Sequence, residues 1–320
     1  MPRAKRNLFL VFAVSLAALA SVASIVPRQP RRLTGASLFA SLPAQPAAAE
    51  TATGDGVPKI ETVAPVETDA SAEASFARGA AEQNGVLKDE LRWTFGGQTQ
   101  RGWVIYVPLI QRLIGTDDAA TTEGFAARLA RWQKSVGLAG SGVLDETTLM
   151  RMISTWQSHR LKNRTYPTPE QLYTVPPAEF YDPSRADDLR RVERQTYAAY
   201  KRMLAAAVAE SSLQLATRGG ELAPSEKYLK IISAFRSKEY QERLRKAEPG
   251  AGRAALAVNS PHFTGRALDI YVGGEPTITK DNNRALQTQT RAYRWLVRNA
   301  ERFGFCPYFY EPWHWEYCAQ

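Results

Sequence analysis

The 320-residue sequence is poor in the side chains that most often carry out chemistry, with three histidines and two cysteines. It contains no H-E-x-x-H motif, which excludes the helix-borne zinc site of many zinc peptidases. It also lacks a clustered basic helix or groove-binding motif, so its net charge of +9 does not by itself indicate nucleic-acid binding. Anionic lipid and the bacterial cell wall are other polyanions that such a charge attracts.

Residues 8–26 carry no charge and follow the basic stretch MPRAKRN. This arrangement predicts a secretory signal peptide over residues 1–27, with the small residues Ser21 and Ala23 near a cleavage point. An uncleaved membrane anchor is the alternative, because the apolar stretch is nearly long enough to span a bilayer. In both cases the rest of the chain is exported to the periplasm or cell envelope, which argues against a nucleic-acid partner.

Four further segments follow the leader. Residues 28–82, rich in Ala, Pro, Thr and Glu without an apolar period, are predicted to be a disordered tether. Apolar residues at helical spacing predict a small all-α domain over residues 83–157, in which Asp145 caps the last helix and Leu149, Met150 and Ile153 form its buried side. The proline-rich residues 158–185 are predicted to be a linker, with His159 on the surface.

Residues 186–320 alternate irregularly between helix and strand patterns. A long amphipathic helix is predicted for ADDLRRVERQTYAAYKRMLAAAVAES, and strands for YLKIISAF, LDIYV and WHWEY. The interleaving is too irregular for a doubly wound sheet. The predicted fold class is therefore α+β, a small antiparallel sheet with flanking helices, preceded by the separate helical domain.

Both histidines outside the linker fall near strand patterns that also carry acids. Strand alternation places Asp269 opposite Leu268 and Ile270, so its carboxylate points into solvent or into a site. In PWHWEY the same parity places His314 on the face shared with Glu316 and away from the tryptophans. Gly265 permits a turn between His262 and the strand that contains Asp269.

Two imidazoles and a carboxylate are three ligands for Zn²⁺ that leave a fourth position for water. The sequence thus indicates a zinc site formed by His262, Asp269 and His314, with Glu311 close by as the base that takes the proton of the water. An ordinary surface or capping pair of histidine and aspartate is the alternative. Other divalent ions would also accept this donor set.

Two stretches resemble known bacterial families. WQKSVGLAGSGVLDETTL is similar to the peptidoglycan-binding domain of cell-wall hydrolases; a generic helical bundle with a glycine turn is the alternative. The residues that match that domain are Trp132, Gln133, Gly137, Leu138, Gly142, Asp145 and Thr148. SAFRSKEYQ, SPHFTGRALDI and YEPWHWEY together resemble the VanY-type zinc D,D-carboxypeptidases of the cell wall, over residues 186–320. Phe235 stands where that family usually has tyrosine.

The VanY resemblance implies a role for each matching residue. His262, Asp269 and His314 would bind zinc, and Glu311 would be the general base. Arg236 would hold the carbonyl oxygen as it gains negative charge. The residues implied to contact the peptide are Ser237, Gln241 and Ser260.

The cysteines lie on either side of Glu311 and His314. Export permits a disulfide, so we predict a Cys306–Cys318 bridge that closes this loop; two free buried thiols are the alternative.

The predicted function is hydrolysis of peptidoglycan stem peptides. The wall polymer would also serve as an anchor, and membrane attachment through residues 8–26 is an option. D,D-carboxypeptidase action comes first, with L,D-carboxypeptidase, endopeptidase and non-catalytic wall-binding protein as alternatives.

Overall fold

The structure is a computed structural model that describes residues 68–247 and 260–319. The predicted leader, residues 1–27, and the first part of the predicted tether lie outside the described residues. Among the described residues, no helix is both long enough and apolar enough to cross a membrane. Helices and small antiparallel sheets alternate along the chain, so the α+β prediction is confirmed.

Residues 68–158, called here the helical part, contain four α-helices and one β-hairpin. The elements are α1 Thr68–Glu90, β1 Arg92–Phe95, β2 Gln98–Arg101, α2 Val107–Ile114, α3 Glu123–Ser135 and α4 Glu146–Ser158. The predicted tether is wrong for residues 68–82, which lie in α1 and whose Ala80 and Ala81 are buried. The all-α prediction is wrong because Trp93 and its neighbours pair as a hairpin.

Gln133, Gly142 and Thr148, which belong to the pattern that resembles peptidoglycan-binding domains, are connected by hydrogen bonds in the turn before α4. The buried Gln133 side chain accepts a hydrogen bond from Gly142 N at 2.8 Å and donates to Val143 O and Thr148 Oγ1 at 2.9 Å. Gly142 has a positive φ of 64°, and a Cβ there would lie 2.8 Å from Ala126 O. These residues therefore fix the fold of the turn.

Helix α4 begins as predicted, but its buried side differs by one residue. Asp145 caps the helix by accepting a hydrogen bond from Thr148 N. Leu149 and Ile153 are buried as predicted, whereas Met150 is exposed and Met152 is fully buried. The difference follows from the helical period, since Met152 lies three residues after Leu149 and Met150 only one.

The C-terminal part, residues 186–319, is built around a four-stranded antiparallel sheet in the order β7-β8-β10-β9. Its strands are β7 Ile231–Ser233, β8 Ala267–Ile270, β9 Phe305–Pro307 and β10 His314–Tyr317. Its helices are α5 Arg194–Val208, α6 Lys238–Ala247, α7 Asp281–Gln289 and α8 Arg291–Asn299. Two two-stranded pairs accompany the sheet: β5 Thr217–Arg218 with β6 Glu221–Leu222, and β4 Arg191–Glu193 with β3 Leu172–Thr174 of the preceding segment.

The long helix predicted from Ala186 begins eight residues later than the pattern indicated, at Arg194. Asp187 lies in a short 3₁₀ turn, held by the buried guanidinium of Arg190, and Arg191–Glu193 form β4. Glu193 then caps α5 through Gln195 N and Thr196 N. Strand pairing and a second cap have therefore overridden the helical propensity of this stretch.

The predicted linker, residues 158–185, is an ordered segment on the surface of the C-terminal part. Strand β3 in this segment pairs with β4, and the side chains of Leu172, Val175 and Phe180 are buried. His159 is exposed, as predicted. The prolines lie in an extended segment whose apolar side chains enter the core. A high proline content was therefore not enough to identify a free linker.

The helical part and the C-terminal part share one apolar core, which corrects the prediction of a separate domain. The ring of Phe309 lies 4.8 Å from that of Phe95 in the hairpin, 5.5 Å from Tyr106 and 6.0 Å from Trp156 in α4. Aromatic surface on the C-terminal part is therefore covered by the helical part rather than by solvent.

Candidate metal centre

Two adjacent strands bring the predicted ligands together. Strands β8 and β10 pair with Asp269 directly opposite His314. His262 lies in a 3₁₀ turn that ends at Gly265, whose φ is 69°. A Cβ at Gly265 would lie 2.9 Å from Glu193 N, so glycine is needed for both the turn and this close approach.

The three side chains form a buried cluster of metal-ligating atoms. One ligand atom from each of His262, Asp269 and His314 lies within 4.8 Å of the other two. Asp269 Oδ1 is 3.4 Å from His262 Nε2 and 3.0 Å from His314 Nδ1. The two imidazole rings lie 5.0 Å apart and nearly perpendicular to each other. The predicted ligands therefore converge on a single point.

His262 presents Nε2 to the cluster because its other nitrogen is occupied. Its Nδ1 lies 2.7 Å from the carbonyl oxygen of Ala234, which can only accept a hydrogen bond, so Nδ1 carries the proton. Burial, together with the nearby Arg236 charge, lowers the pKa of His262 to about 4. A neutral imidazole with a free Nε2 lone pair is the form that binds a metal ion.

The pKa values of Asp269 and His314 are shifted in opposite directions. Burial alone would raise the pKa of Asp269, but the two imidazoles hold it well below its usual range. Burial alone would lower the pKa of His314, but hydrogen bonds to the carboxylates of Asp269 and Glu316 outweigh it and raise the pKa to about 9. Asp269 is therefore ionised, as a carboxylate ligand must be.

Glu311 is buried beside the cluster and is held by its backbone rather than by its side chain. Its carbonyl oxygen accepts a hydrogen bond from His314 N at 2.9 Å, and its Oε1 has no partner among the described residues. Burial raises the pKa of Glu311 to about 7, with His314 opposing and Asp269 adding to the rise. A buried carboxylate oxygen without a partner is free to take a proton.

Arg236 lies against the ligand set. Its Nη2 donates to Asp269 Oδ2 at 3.0 Å, and its Nε donates to Ser233 Oγ at 3.2 Å. The side chains of Arg236 and Asp269 are almost fully buried. Within this structure Arg236 therefore fixes the carboxylate of Asp269.

The residues predicted to contact a peptide have local roles here. Ser260 Oγ accepts a hydrogen bond from His262 N at 3.3 Å and so caps the turn that contains this histidine. Ser237 Oγ accepts from Tyr240 N at 3.1 Å at the start of α6. Gln241 is buried and its Oε1 has no partner among the described residues.

Cys306 and Cys318 are free thiols in this structure, and the bridge between them stays a prediction. Strands β9 and β10 pair with Cys306 opposite Glu316, and Cys318 lies two residues beyond it. The side-chain hydrogen bond with Cys306, together with burial, raises the pKa of the Cys318 thiol well above its usual value, so the two thiols lie next to each other. The strand pairing itself holds the segment around Glu311.

Two residues at the site had no predicted role. Glu316 is fully buried, and its Oε1 lies 3.3 Å from His314 Nε2. Burial alone would raise the pKa of Glu316, but His314 and Arg160 hold it well below its usual range. The parity that places Glu316 beside His314 was a usable signal. Nothing in the sequence linked Arg160 to either residue.

Residues 190–320 match the family model described as VanY: D-alanyl-D-alanine carboxypeptidase. A search of the curated proteins found no match to the chain. Residues 190–320 therefore form a VanY-type domain, as the sequence resemblance indicated. All of the predicted site residues lie within this range, whereas Arg160 lies outside it.

Proposed function

We propose that the chain is an exported, zinc-dependent peptidase whose VanY-type domain removes the terminal D-alanine from peptidoglycan stem peptides. The family match supports a D-alanyl-D-alanine carboxypeptidase-like function. The observation that carries the zinc mechanism is the convergence of His262, Asp269 and His314 within 4.8 Å. Beside them lies the buried Glu311, whose Oε1 has no partner among the described residues.

The donor set fits zinc. Two imidazole nitrogens and one carboxylate oxygen are the usual ligands of a catalytic zinc ion, which keeps one further position open. His262 Nε2, Asp269 Oδ1 and His314 Nδ1 would hold the ion. Bound there, zinc would polarise the peptide carbonyl and lower the pKa of the attacking water.

Glu311 supplies the proton transfers of the proposed reaction. Its Oε1 accepts a proton from the water whose oxygen adds to the carbonyl carbon, and it returns that proton to the nitrogen as the C–N bond breaks. The products are the shortened peptide and free D-alanine. A pKa of about 7 suits a group that both accepts and donates a proton near neutral pH.

Arg236 is proposed to stabilise the carbonyl oxygen as it gains negative charge, because a buried guanidinium is a fixed positive charge beside the ligands. Gln241 is also proposed to contact the peptide, and its buried Oε1, which has no partner among the described residues, is an acceptor that could do so. The roles proposed for Ser237 and Ser260 rest on the family resemblance, since both hydroxyls cap local turns here.

Export and wall attachment rest on sequence features. The uncharged residues 8–26 after a basic start support export, with or without cleavage of the leader. The resemblance of the helical part to peptidoglycan-binding domains supports anchoring on the wall polymer, and the net charge of +9 adds attraction to an anionic surface.

The test is mass spectrometry of purified muropeptides after incubation with the zinc-loaded protein. Loss of one alanine from the pentapeptide is the expected result, and the Glu311→Gln variant should bind zinc but leave the pentapeptide intact. Shortening of the tetrapeptide instead would establish L,D-carboxypeptidase action, and cleavage of cross-linked dimers would establish an endopeptidase. If zinc is bound and none of these substrates changes, the protein is a non-catalytic wall-binding protein and the proposal is wrong.

A further inference from the structure

A fully buried acid lies directly behind one of the proposed metal ligands. Glu316 follows His314 by two residues in β10, so both side chains project from the same face of the sheet. Its Oε1 lies 3.3 Å from His314 Nε2, while His314 Nδ1 faces Asp269 at 3.0 Å. The imidazole is therefore held between two carboxylates, one on each nitrogen.

The groups that hold Glu316 come from outside the VanY-type domain. Arg160 donates from Nε to Oε1 at 3.0 Å and also from Nη2 to the same oxygen, while the backbone N–H of Leu161 donates to Oε2 at 2.8 Å. Both oxygens of the carboxylate are thus fixed by two consecutive residues just after α4. The Arg160 side chain is itself only 9% exposed.

The position of Arg160 is set by several contacts. Its guanidinium lies 4.0 Å from the ring centroid of Tyr308, and its Nη1 donates to Gln157 Oε1 at 3.3 Å. The preceding helix α4 is held against the C-terminal part by the stacking of Trp156 on Phe309. The packing of the helical part therefore places Arg160 against Glu316 and leaves its side chain little freedom to move.

A general stabilising role does not account for this arrangement. Replacing a buried ion pair with apolar side chains is often neutral or stabilising, so burial of Arg160 and Glu316 brings the fold little by itself. A carboxylate that accepts from the far nitrogen of a metal-bound histidine has a specific effect, because it fixes the ring orientation and the position of its proton.

We propose that Arg160 is a positioning residue for the metal centre, acting through Glu316 on His314. With both of its oxygens fixed, Glu316 keeps the proton of the neutral imidazole on Nε2 and leaves the Nδ1 lone pair directed at the metal position. This inference rests on the proposed zinc site and adds that residues preceding the VanY-type domain complete it. The helical part is then needed for the metal centre itself, in addition to any attachment to the wall.

The test compares zinc affinity, measured by competition with a chromophoric chelator, for the full chain and four variants. These are Arg160→Gln, Glu316→Gln, the double variant and Arg112→Gln. Arg112 is the matched control, because its side chain, like that of Arg160, reaches an acid of the C-terminal part, Glu301 at 3.0 Å, but does so on the exposed surface. Loss of an outer hydrogen-bond partner of a metal ligand typically weakens binding by about 10–100-fold.

We expect Arg160→Gln and Glu316→Gln each to weaken zinc binding by about 10-fold or more, and Arg112→Gln to leave it unchanged. The double variant should be no weaker than Glu316→Gln, because Arg160 acts only through Glu316. Zinc binding by Arg160→Gln at wild-type strength, or a double variant that shows the product of the two single effects, would overturn the inference.

If Arg160→Gln alone does not fold, the double variant, which removes both buried charges, decides the question: a wild-type zinc affinity there overturns the inference. Failure of the wild-type chain to bind zinc would refute the proposed metal site instead. The two failures are therefore distinguishable without an activity assay.

Discussion

Replacement of Glu311 by glutamine should change how the stability of the metal-free protein depends on pH. The folded-state pKa of Glu311 is about 7, against an ordinary value of 4.5. Between these values the folded protein keeps a proton that the unfolded chain releases, so wild-type stability falls as pH rises through this window. Glutamine has nearly the same shape and does not titrate, so the variant lacks this loss.

The size of the effect follows from the difference between the folded and unfolded pKa values of Glu311. A tenfold difference in proton affinity between the two states corresponds to about 1.4 kcal/mol, so the full effect is about 3 kcal/mol. Between pH 5 and pH 8, the free energy of unfolding of Glu311→Gln should therefore rise relative to wild type by about 2–3 kcal/mol. The gain builds up between the two pKa values, where the unfolded wild-type chain releases the proton that the folded protein keeps, and it levels off above the folded-state pKa.

Urea unfolding at several pH values, with a chelator present, measures this difference. The chelator is needed because a bound cation would favour the ionised carboxylate. Glu242→Gln, at an exposed position on α6, is the control for the removal of a carboxylate that is not buried. Parallel pH profiles for Glu311→Gln and wild type would refute the reasoning that burial, rather than a partner, governs this carboxyl group.

Three other changes test different parts of the molecule. Arg236→Lys should lower kcat on the pentapeptide by about 100-fold with a small change in KM, because an ammonium does not reproduce the fixed guanidinium; an unchanged kcat would remove Arg236 from the mechanism. Gln133→Ala should lower the free energy of unfolding by about 3 kcal/mol in urea titrations, since it leaves Gly142 N, Val143 O and Thr148 Oγ1 without their partner; a change below about 1 kcal/mol would contradict the role given to this side chain. Dithiothreitol tests the predicted Cys306–Cys318 bridge: reduction of a bridge should make the protein less stable by about 3 kcal/mol, whereas an unchanged melting temperature would show that the two thiols stay free, as they are in this structure.

The local part of the site was predictable because strand parity is a short-range property. The alternation around Asp269 and His314 places their side chains on one face of β8 and β10, and the structure pairs these two residues directly. Gly265 was identifiable as a turn residue for the same reason, since its positive φ is a local requirement. The ligand set followed from these local patterns, the scarcity of histidine and the resemblance to the VanY-type family.

The relation between the two parts of the chain was not predictable from local patterns. Prolines in residues 158–185 indicated a linker, yet the buried Val175 and Phe180 tie this segment to the C-terminal part. Arg160 reads as an ordinary basic residue after a helix, and only the tertiary fold brings it to Glu316, which lies 156 positions away in the sequence. Contacts of this kind depend on how the helices and strands pack against one another. The spacing of residues along the sequence does not reveal that packing.

X-ray absorption spectroscopy of the zinc-loaded full chain tests the central claim most directly. The predicted spectrum has nitrogen and oxygen neighbours at about 2.0–2.2 Å, with a histidine contribution that is smaller in His314→Ala because only His262 remains. A sulfur neighbour at about 2.3 Å would place the metal at Cys306 or Cys318 instead, and would contradict the assignment of the site to His262, Asp269 and His314.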